Sequence, residues 1–328
     1  MSGDEQKNVT ATWSRNPLLD AWYLTGPTAS GKTKVGLLLA ERIGAEIISL
    51  DSMALYRGMD IGTAKPTLSD RSQIPHHMID VVDPTEDFSL SQFVIQAHDL
   101  AAGIRIRGRQ VLFVGGTPLY LKTLLRGTFL GPAADWEFRT AVEQDVAQYG
   151  IEKLHERLQQ VDPLSAHKIL PGDLRRMTRA LEVAKITGLP LSHWQTQFER
   201  STPASQCRVF ALGWDRAALH QRVNSRVETM FQTGLVEETK NLLVKYGNLG
   251  RTASQAVGYK EVISHLAGQQ DLPATRELVK AHTRQFVRRQ EIWFRSLSEI
   301  TRVPLEDATD LAGVVDAIVS HPWQTSVD

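Results

Sequence analysis

The chain has 328 residues, of which 42% are hydrophobic and 23% charged, as is usual for a globular protein that buries one large or two modest cores. Lys and Arg number 37, as do Asp and Glu, so the net charge is zero and the overall basic balance of many nucleic-acid binders is excluded. The single cysteine, Cys207, excludes an internal disulfide and a cysteine zinc site, and no apolar run is long enough to span a bilayer. We therefore expect a cytoplasmic protein that does not bind membranes and whose RNA-binding surface, if it has one, is local.

The first part of the chain alternates short apolar runs with helical spacing. Residues 1–17 are polar and lack the apolar core of a signal sequence, so they are predicted to form a disordered tail. Trp22–Thr25 is a predicted strand, and Lys32–Ile43 follows with helical spacing. Glu46–Leu50 and Val111–Val114 are further predicted strands. This alternation predicts βαβ units and a parallel sheet.

The stretch from Asp135 to Thr187 has a different character. Its pattern is helical, with breaks at Tyr149-Gly150, Asp162-Pro163 and Pro171-Gly172, so we interpret it as a helical insertion. The apolar run Phe210–Trp214 then predicts a strand that returns to the sheet.

The rest of the chain is mostly helical in pattern. Arg216 to Ser298 is predicted to be helical, with interruptions near Gly247–Gly250 and Gly268–Pro273, and the last residues carry no clear pattern. The predicted fold class is α/β, with a phosphate-loop parallel sheet flanked by helices and a helical insertion domain. The predicted parts are the tail, a core of residues 18–130 and 205–328, and a helical insertion of residues 131–204.

A phosphate-binding loop lies between the first predicted strand and helix. The residues Gly26-Pro27-Thr28-Ala29-Ser30-Gly31-Lys32-Thr33 fit the pattern G-x-x-x-x-G-K-[ST]. Glycines let successive backbone N–H groups turn toward an anion, the helix N-terminus adds positive potential, Lys32 adds a charge, and the Thr33 hydroxyl can ligate Mg²⁺. A chance match in a glycine turn is the alternative, but the strand before and the helix after argue against it. The motif predicts a diphosphate or triphosphate and leaves the reaction open.

Asp51 follows the second predicted strand, at the sheet edge where ligands bind in open α/β folds. Its position allows three interpretations. The carboxylate could hold Mg²⁺, as in a nucleotide hydrolase, or act as a general base facing the phosphate loop. It could also be a plain turn or capping carboxylate.

Five longer motifs follow the phosphate loop. They are Asp51-Ser52-Met53-Ala54-Leu55-Tyr56-Arg57-Gly58-Met59-Asp60-Ile61-Gly62-Thr63-Ala64-Lys65-Pro66, Pro75-His76-His77-Met78-Ile79-Asp80, Val114-Gly115-Gly116-Thr117-Pro118-Leu119-Tyr120, Arg175-Arg176-Met177-Thr178-Arg179-Ala180-Leu181-Glu182-Val183 and Val257-Gly258-Tyr259-Lys260-Glu261. Together they resemble the tRNA dimethylallyltransferases, also called tRNA isopentenyltransferases. The resemblance covers roughly Leu24 to Leu297, and the set is far more specific than the loop alone.

The resemblance implies a reaction and its residues. The amine N6 of the adenosine just 3′ of the anticodon, tRNA position 37, attacks C1 of dimethylallyl diphosphate and releases diphosphate. By resemblance, Asp51 is the general base, and the loop, with Mg²⁺ held partly by Thr33, holds the leaving group. Arg226 aligns with the family's diphosphate-binding arginine, with a solvated helix arginine as the alternative. Thr117 aligns with a contact near the adenine, with a turn hydroxyl as the alternative.

The partner implied is the anticodon stem-loop of tRNA, whose unpaired bases can be extruded. Basic clusters and motif positions supply the candidate tRNA-binding residues. These are Ser52, Met53, Ala54, Arg139, Arg175, Arg176, Met177, Thr178, Arg179, Gln255, Gly258, Tyr259, Lys260, Arg284 and Arg288. On the helix of the last two, three apolar residues are expected to pack in the core rather than stack on bases: Phe286, Trp293 and Leu297. We expect a monomer, because one protein suffices for one anticodon loop.

Some features stay open. Relatives often carry Gln or Leu at the position of Ala54, so a contact made there by a larger side chain is in doubt. The lone Cys207 cannot build the C-terminal zinc finger of eukaryotic relatives, so the bacterial form is the better match. His76 and His77 are assigned neither a metal nor a chemical role. The alternatives are a small-molecule kinase and an RNA-binding module with a vestigial loop, and the intact Gly31-Lys32-Thr33 argues against the second.

Overall fold

A parallel sheet organises the chain in the computed structural model, which describes residues 14–129, 131–195 and 201–322. The strands are β1 (Ser14–Arg15), β2 (Trp22–Thr25), β3 (Ala45–Ser49), β4 (His76–His77), β5 (Gln110–Val114), β6 (Thr128–Phe129), β7 (Val209–Trp214) and β8 (Thr301–Leu305). Six of them form one sheet in the order β4-β3-β5-β2-β7-β8, and every neighbouring pair is parallel. The remaining two, β1 and β6, pair antiparallel. The predicted α/β class with a parallel sheet is confirmed.

Helices connect the strands. They are α1 (Lys32–Ile43), α2 (Leu68–Gln73), α3 (Leu90–Ile106), α4 (Pro118–Arg126), α5 (Trp136–Tyr149), α6 (Ile151–Val161), α7 (Pro163–Lys168), α8 (Leu174–Thr187), α9 (Leu191–Trp194), α10 (Arg216–Gln232), α11 (Leu235–Tyr246), α12 (Tyr259–Leu266), α13 (Leu272–Arg295) and α14 (Leu311–Val319). In the described ranges, no helix combines the length and the apolar character needed to cross a membrane.

The sheet is stabilised by apolar packing on its faces. The central strands β2 and β3 are buried along their whole length, which explains why they read as continuous apolar runs rather than alternating ones. Leu24 and Ile47 from the sheet pack with Val35 and Leu39 of α1 in one cluster, which residues of α14 join. Each such side chain contributes about 1.5–3 kcal/mol when it is fully buried.

The chain forms two compact units, each described here on its own. One comprises Leu18–Leu125 and the chain from Thr202 onward, and it contains the sheet. The other comprises residues 126–201 together with β1. Residues 1–13 of the predicted disordered tail lie outside the described residues, whereas Ser14–Arg15 pair with β6.

Local capping explains the predicted breaks in the second, helical unit. Gly150 ends α5 and starts α6 with a φ of 87°, a conformation that glycine adopts without strain. The Asp162 side chain accepts a hydrogen bond from the Ser165 N–H and caps α7, whose first residue is proline. Asp173 caps α8 in the same way. The helices enclose an apolar core that includes Leu158 and other buried residues.

The predicted interruption at Gly268–Pro273 is confirmed, since α12 ends at Leu266 and α13 begins at Leu272 with Pro273 in its first turn, where the N–H that proline lacks would have no helical partner. Two other sequence-based expectations for the later chain need correction. An additional break was missed at Gly234, whose φ of 105° separates α10 from α11. The unassigned end of the chain contains β8 and α14. Strand β8 escaped prediction because Arg302 and Pro304 point to solvent on this edge strand.

One buried carboxylate joins the sheet to α3. Glu46 on β3 is 5% exposed and accepts two hydrogen bonds from the guanidinium of Arg107, at 2.9 and 2.6 Å. The Nε2 atom of His77 lies 2.7 Å from the same carboxylate. The hydrogen bonds from Arg107, with a further contribution from His77, lower the pKa of Glu46 from 4.5 to about 2 against the opposing effect of burial.

We predict that Glu46→Gln lowers the free energy of unfolding at pH 7 by about 1–2 kcal/mol. This loss is smaller than the pKa shift alone would give, because Arg107 is half exposed and solvent screens its charge. Because the folded-state pKa is depressed, this stabilisation is present above the ordinary pKa of 4.5 and is lost as the pH falls toward 2. Urea unfolding at pH 7 and at pH 3 measures it, and the difference between wild type and variant should shrink at the lower pH. Glu41→Gln, at an exposed position on α1, is the control. An equal difference at both pH values would contradict the assignment.

Candidate active site

Three turns meet at the carboxyl edge of the sheet, after β2, β3 and β5. The Leu50 N–H donates to the Val114 carbonyl at 2.8 Å, and the Thr117 N–H donates to the Leu50 carbonyl at 3.0 Å. A side chain on Gly115 would place its Cβ 2.4 Å from the Leu50 oxygen, so only glycine permits this approach. The Thr117 hydroxyl also accepts the Ser52 N–H at 3.2 Å. The structure therefore brings two predicted site regions, around Asp51 and Thr117, together.

The phosphate loop has the tightly turned backbone that its glycines predict. Gly26, Ala29 and Gly31 have φ angles of 140°, 65° and 91°. The positive φ at Ala29 is strained for a residue with a Cβ, and such strain is concentrated at functional sites. The Lys32 ammonium group folds back over the loop and donates to the Pro27 carbonyl at 2.7 Å.

Residues from β7 and α10 hold the loop from outside the motif. The indole N–H of Trp214 donates to the Ser30 carbonyl at 3.0 Å, and Arg222 Nε donates to the Ala29 carbonyl at 3.0 Å. The Arg222 guanidinium lies 3.9 Å from the centroid of the Trp214 ring. Neither residue was predicted from the sequence, since a carbonyl contact from a distant helix leaves no local pattern.

Two partly buried cations lie beside this loop. Burial, together with the nearby charge of Arg226, lowers the pKa of Lys32 to about 7, and the Asp51 carboxylate opposes this shift. Burial likewise lowers the pKa of Arg226, again opposed by Asp51. These mutual effects place the three side chains in one electrostatic cluster. Two cations against one carboxylate favour the entry of an anion, which would stabilise both.

A cavity of about 530 Å³ opens onto the loop. Its polar wall contains Asp51, Thr117 and Arg226, together with the loop residues Thr28, Ala29, Gly31, Lys32 and Thr33. Another part of the wall is apolar and includes Met53, Val227, Met230, Val257, Val279 and Phe286. The cavity thus has room and chemistry for a phosphorylated ligand with an apolar group.

Asp51 has one oxygen engaged and one available. Oδ1 accepts the N–H groups of Met53 at 2.8 Å and Ala54 at 3.3 Å, which is the turn role considered from the sequence. Within the described ranges, Oδ2 has no protein hydrogen-bond partner. The carboxylate is therefore oriented by its own turn while one oxygen remains free to accept a proton.

Gln290 on α13 joins two of the turns. Its Oε1 accepts the Thr28 N–H at 2.9 Å, and its Nε2 donates to the Gly116 carbonyl at 2.7 Å. The side chain is 3% exposed, so these hydrogen bonds do not compete with solvent. Sequence reasoning missed Gln290 because nothing near it in the chain distinguishes it from any other helix glutamine.

The motif from Asp51 to Pro66 forms a loop along the cavity, fixed by a buried lysine. Lys65 is 2% exposed at its side chain and donates to the Tyr56 carbonyl at 2.6 Å, to Asp60 at 2.7 Å and to Asp80 at 2.6 Å. Asp80 ends the motif that begins at Pro75. The two motifs are thus parts of one ion-paired cluster.

The two adjacent histidines point in different directions, as successive strand residues do. His76 lines the cavity, and its Nδ1 lies 2.7 Å from the Ile74 carbonyl, whereas His77 contacts Glu46. Among the residues that the structure describes, no group of three or more His, Cys, Asp or Glu could hold a metal ion.

In the helical unit, the predicted tRNA-binding residues separate into exposed and structural ones. Arg139 and Arg179 both pair with Glu182, whose side chain is fully buried. Met177 is a core residue with no exposed area and Thr178 is 7% exposed, so we now attribute these two to packing rather than to RNA contact. The two arginines that remain exposed in the cluster are Arg175 and Arg176.

The predicted tRNA-binding residues of the sheet unit also separate into buried or cavity-lining residues and exposed ones. Ser52, Met53, Ala54, Gln255 and Tyr259 line the cavity. Gly258, Tyr259 and Ala54 are buried, whereas Lys260 and Arg288 are exposed, and a tRNA contact by any of these residues stays a prediction.

Two further residues of α13, Arg284 and Phe286, have different surroundings. Arg284 donates to the Asn224 side chain at 2.6 Å. Phe286, expected in the core, is instead 37% exposed and lines the cavity, so that expectation was wrong.

Comparison with known proteins gives consistent results. A family model described as IPP transferase matches residues 54–297. A tRNA dimethylallyltransferase of Rhodopirellula baltica is 49% identical over 311 residues, which are 92% of this chain and 93% of that protein. Another, from Pelotomaculum thermopropionicum, is 41% identical over 305 residues, which are 93% of this chain and 96% of that protein.

Solved structures agree. The full-length tRNA isopentenylpyrophosphate transferase of Bacillus halodurans is 36% identical, with a TM-score of 0.66 over 92% of this chain and 96% of its own. A eukaryotic dimethylallyltransferase acting on tRNA is 26% identical, with a TM-score of 0.73 over 88% of this chain and 74% of its own.

We predict that Gln290→Ala lowers the free energy of unfolding by about 2–3 kcal/mol, because the Thr28 N–H and the Gly116 carbonyl lose buried partners. Affinity for inorganic diphosphate should fall as well, since the loop is no longer held in one conformation. Urea unfolding and titration calorimetry measure the two effects. Gln285→Ala, an exposed glutamine of the same helix, should change neither quantity. Unchanged stability of the Gln290 variant would show that the bridge is not formed in solution.

Proposed function

The chain belongs to the IPP transferase family, and we propose that it is a tRNA dimethylallyltransferase, which moves the dimethylallyl group of dimethylallyl diphosphate to an adenine of tRNA. The observation that carries this proposal is the cavity itself, where a phosphate loop, two partly buried cations and a carboxylate with one free oxygen meet apolar side chains. The more specific acceptor that we propose is N6 of the adenosine 3′ of the anticodon, at tRNA position 37.

The phosphate loop would bind the leaving group. Diphosphate concentrates negative charge as the C1–O bond breaks, and Lys32 and Arg226 are already in place to offset it. Because both cations are partly buried, their effect on the departing charge is greater than it would be in water. The negative ligand would in turn favour the charged form of Lys32. No phosphoryl group is transferred in this scheme.

Asp51 would act as the general base. The exocyclic amine of adenine is a weak nucleophile, because its lone pair is delocalised into the ring, and it must lose a proton as the N6–C1 bond forms. The free Oδ2 of Asp51 would accept that proton, while Oδ1 stays bound to the N–H groups of Met53 and Ala54. The Thr117 hydroxyl, next to Ser52, would contact the adenine.

A magnesium ion fits the residues present. Within the described residues, the Thr33 hydroxyl has no protein hydrogen-bond partner and it lines the cavity at the start of α1. Mg²⁺ commonly keeps several waters and is held by one or two protein oxygens plus substrate phosphates, so one hydroxyl beside a diphosphate is a sufficient protein contribution. The ion, when bound, would neutralise charge on the diphosphate.

The acceptor is proposed to be the anticodon stem-loop, bound by exposed basic side chains. Arg175 and Arg176 of the helical unit, and Lys260 and Arg288 of the sheet unit, are exposed and suited to phosphate contacts. A monomer acting in the cytoplasm is the simplest form of this proposal.

No observation favours the kinase alternative, and a direct test separates the two. We predict that the protein transfers label from dimethylallyl diphosphate to tRNA and does not consume ATP. Asp51→Ala should slow single-turnover transfer by roughly 10²–10⁴-fold, the range for loss of a general base. The measurement is a single-turnover assay with saturating tRNA. A near-normal rate would remove Asp51 from the mechanism, and ATP consumption without transfer would favour the kinase.

A second prediction separates the donor site from the RNA surface. Lys32→Ala and Arg226→Ala should weaken binding of inorganic diphosphate by about 10–100-fold, the loss expected for a charged hydrogen bond, with tRNA affinity little changed. Arg176→Ala and Arg288→Ala should weaken tRNA binding and lower the slope of log K against log salt by about 0.9 each.

The control for both pairs is Arg42→Ala, an exposed arginine of α1 paired with Asp316. It removes the same charge at a position outside both proposed surfaces. If all four variants reduced tRNA affinity alike, the division of the site would be wrong.

A further inference from the structure

The loop from Asp51 to Pro66 forms a wall of the cavity, yet it is built from turns rather than from helix or strand. Its conformation must therefore be imposed by side chains from elsewhere in the chain. Lys65 fixes its end, as described above. The centre of the loop is fixed by a different residue, which lies on a helix and does not line the cavity.

Glu238, in the first turn of α11, binds the centre of the loop. One carboxylate oxygen accepts the N–H groups of Asp60 at 3.1 Å and Ile61 at 2.8 Å. The other accepts the Gly62 N–H at 3.2 Å and the Tyr259 hydroxyl at 2.6 Å. Successive N–H groups that point to one place form a natural anion site, so a full negative charge is the strongest partner they could have.

The Tyr259 ring also packs against the loop at Gly62. A Cβ on Gly62 would lie 2.4 Å from the ring, so the backbone rests directly on the aromatic face. The ring is fully buried in an apolar cluster with Val262 and Val279. The loop is consequently held at Gly62 by a charge and by a packed ring.

The next residue of the loop connects this anchor to the donor site. The Thr63 carbonyl accepts a hydrogen bond from Arg226 Nη2 at 3.3 Å. Among the described residues, this is the one hydrogen bond of the Arg226 side chain. Since Arg226 lies partly buried beside Lys32, a small shift of Thr63 would turn its guanidinium away from the place where a diphosphate would bind.

We propose that Glu238 is a positioning residue for the prenyl-transfer reaction, because it holds the Asp60–Gly62 turn so that Thr63 orients Arg226 toward the diphosphate. This inference rests on the proposed function, in which Arg226 binds the leaving group. Glu238 itself touches neither substrate nor reacting atoms. Its effect on the donor site is therefore expected to pass through Arg226 alone.

A double-mutant cycle tests this route. Calorimetry with inorganic diphosphate and Mg²⁺ is performed on wild type, Glu238→Gln, Arg226→Ala and the double variant. Glu238→Gln should weaken diphosphate binding roughly tenfold, because its amide presents N–H groups to donors that need an acceptor. In the Arg226→Ala background the same change should cost less than about twofold, since the group it positions is gone.

The controls separate positioning from loss of structure. Glu237→Gln, an exposed glutamate beside Glu238, should leave diphosphate affinity within about twofold of wild type. A general structural role of Glu238 would lower affinity equally in both Arg226 backgrounds. If Glu238→Gln does not fold, Tyr259→Phe removes one of the four donors to the carboxylate and gives the same cycle, with an expected loss of about threefold.

The outcomes are distinct. Sub-additive losses support the role of Glu238. Equal losses in both backgrounds, or an unchanged affinity of Glu238→Gln, overturn it while leaving the proposed function intact. A wild-type protein that does not bind diphosphate contradicts the proposed donor site itself.

Discussion

The placement of two partly buried positive charges beside the phosphate loop is the constraint around which the sheet unit is arranged. Lys32 and Arg226 lose hydration in the cavity, and Asp51 compensates them only in part. A protein tolerates such an arrangement when the surrounding hydrogen bonds fix the charges in place. Here the Pro27 and Thr63 carbonyls hold the two cations, and the turns that carry these carbonyls are held in turn by Gln290 and Glu238. The arrangement keeps the donor site organised before any ligand arrives, so binding energy need not be spent on ordering it.

Sequence reasoning succeeded where structure is local. The strand, the phosphate loop and helix α1 follow one another within about twenty residues, and their periodicity and glycines are sufficient to place them. The breaks in the helical unit were also predictable, since Gly150 and Pro163 act through their own backbone. By contrast, Gln290 contacts Thr28 across 262 positions and Glu238 contacts Gly62 across 176. No local sequence pattern identifies such pairs, because the two residues come into contact only in the folded protein.

The basic residues of the helical unit show a related limit. Arg139 and Arg179 belong to a chain that resembles RNA-modifying enzymes, so an RNA contact was a reasonable expectation. The structure shows that both neutralise the buried Glu182, which would otherwise be an uncompensated charge in an apolar core. Charge in the sequence does not distinguish an arginine that faces solvent from one that serves a buried acid. The glutamate three residues after Arg179 was a usable signal, because that spacing places the two on one helix face.

The long chain separations around the phosphate loop also have a consequence for biosynthesis. The motif itself is complete by Thr33, but Trp214, Arg222 and Gln290 contact it only from far downstream. On the ribosome, where chains grow from the N-terminus, the loop emerges long before its last partner, because Gln290 lies 262 positions after Thr28. Strand β2 likewise can pair along its second edge only after β7 has been synthesised. A nascent chain therefore carries the phosphate motif without the finished donor site, and the site matures only when α13 joins the fold.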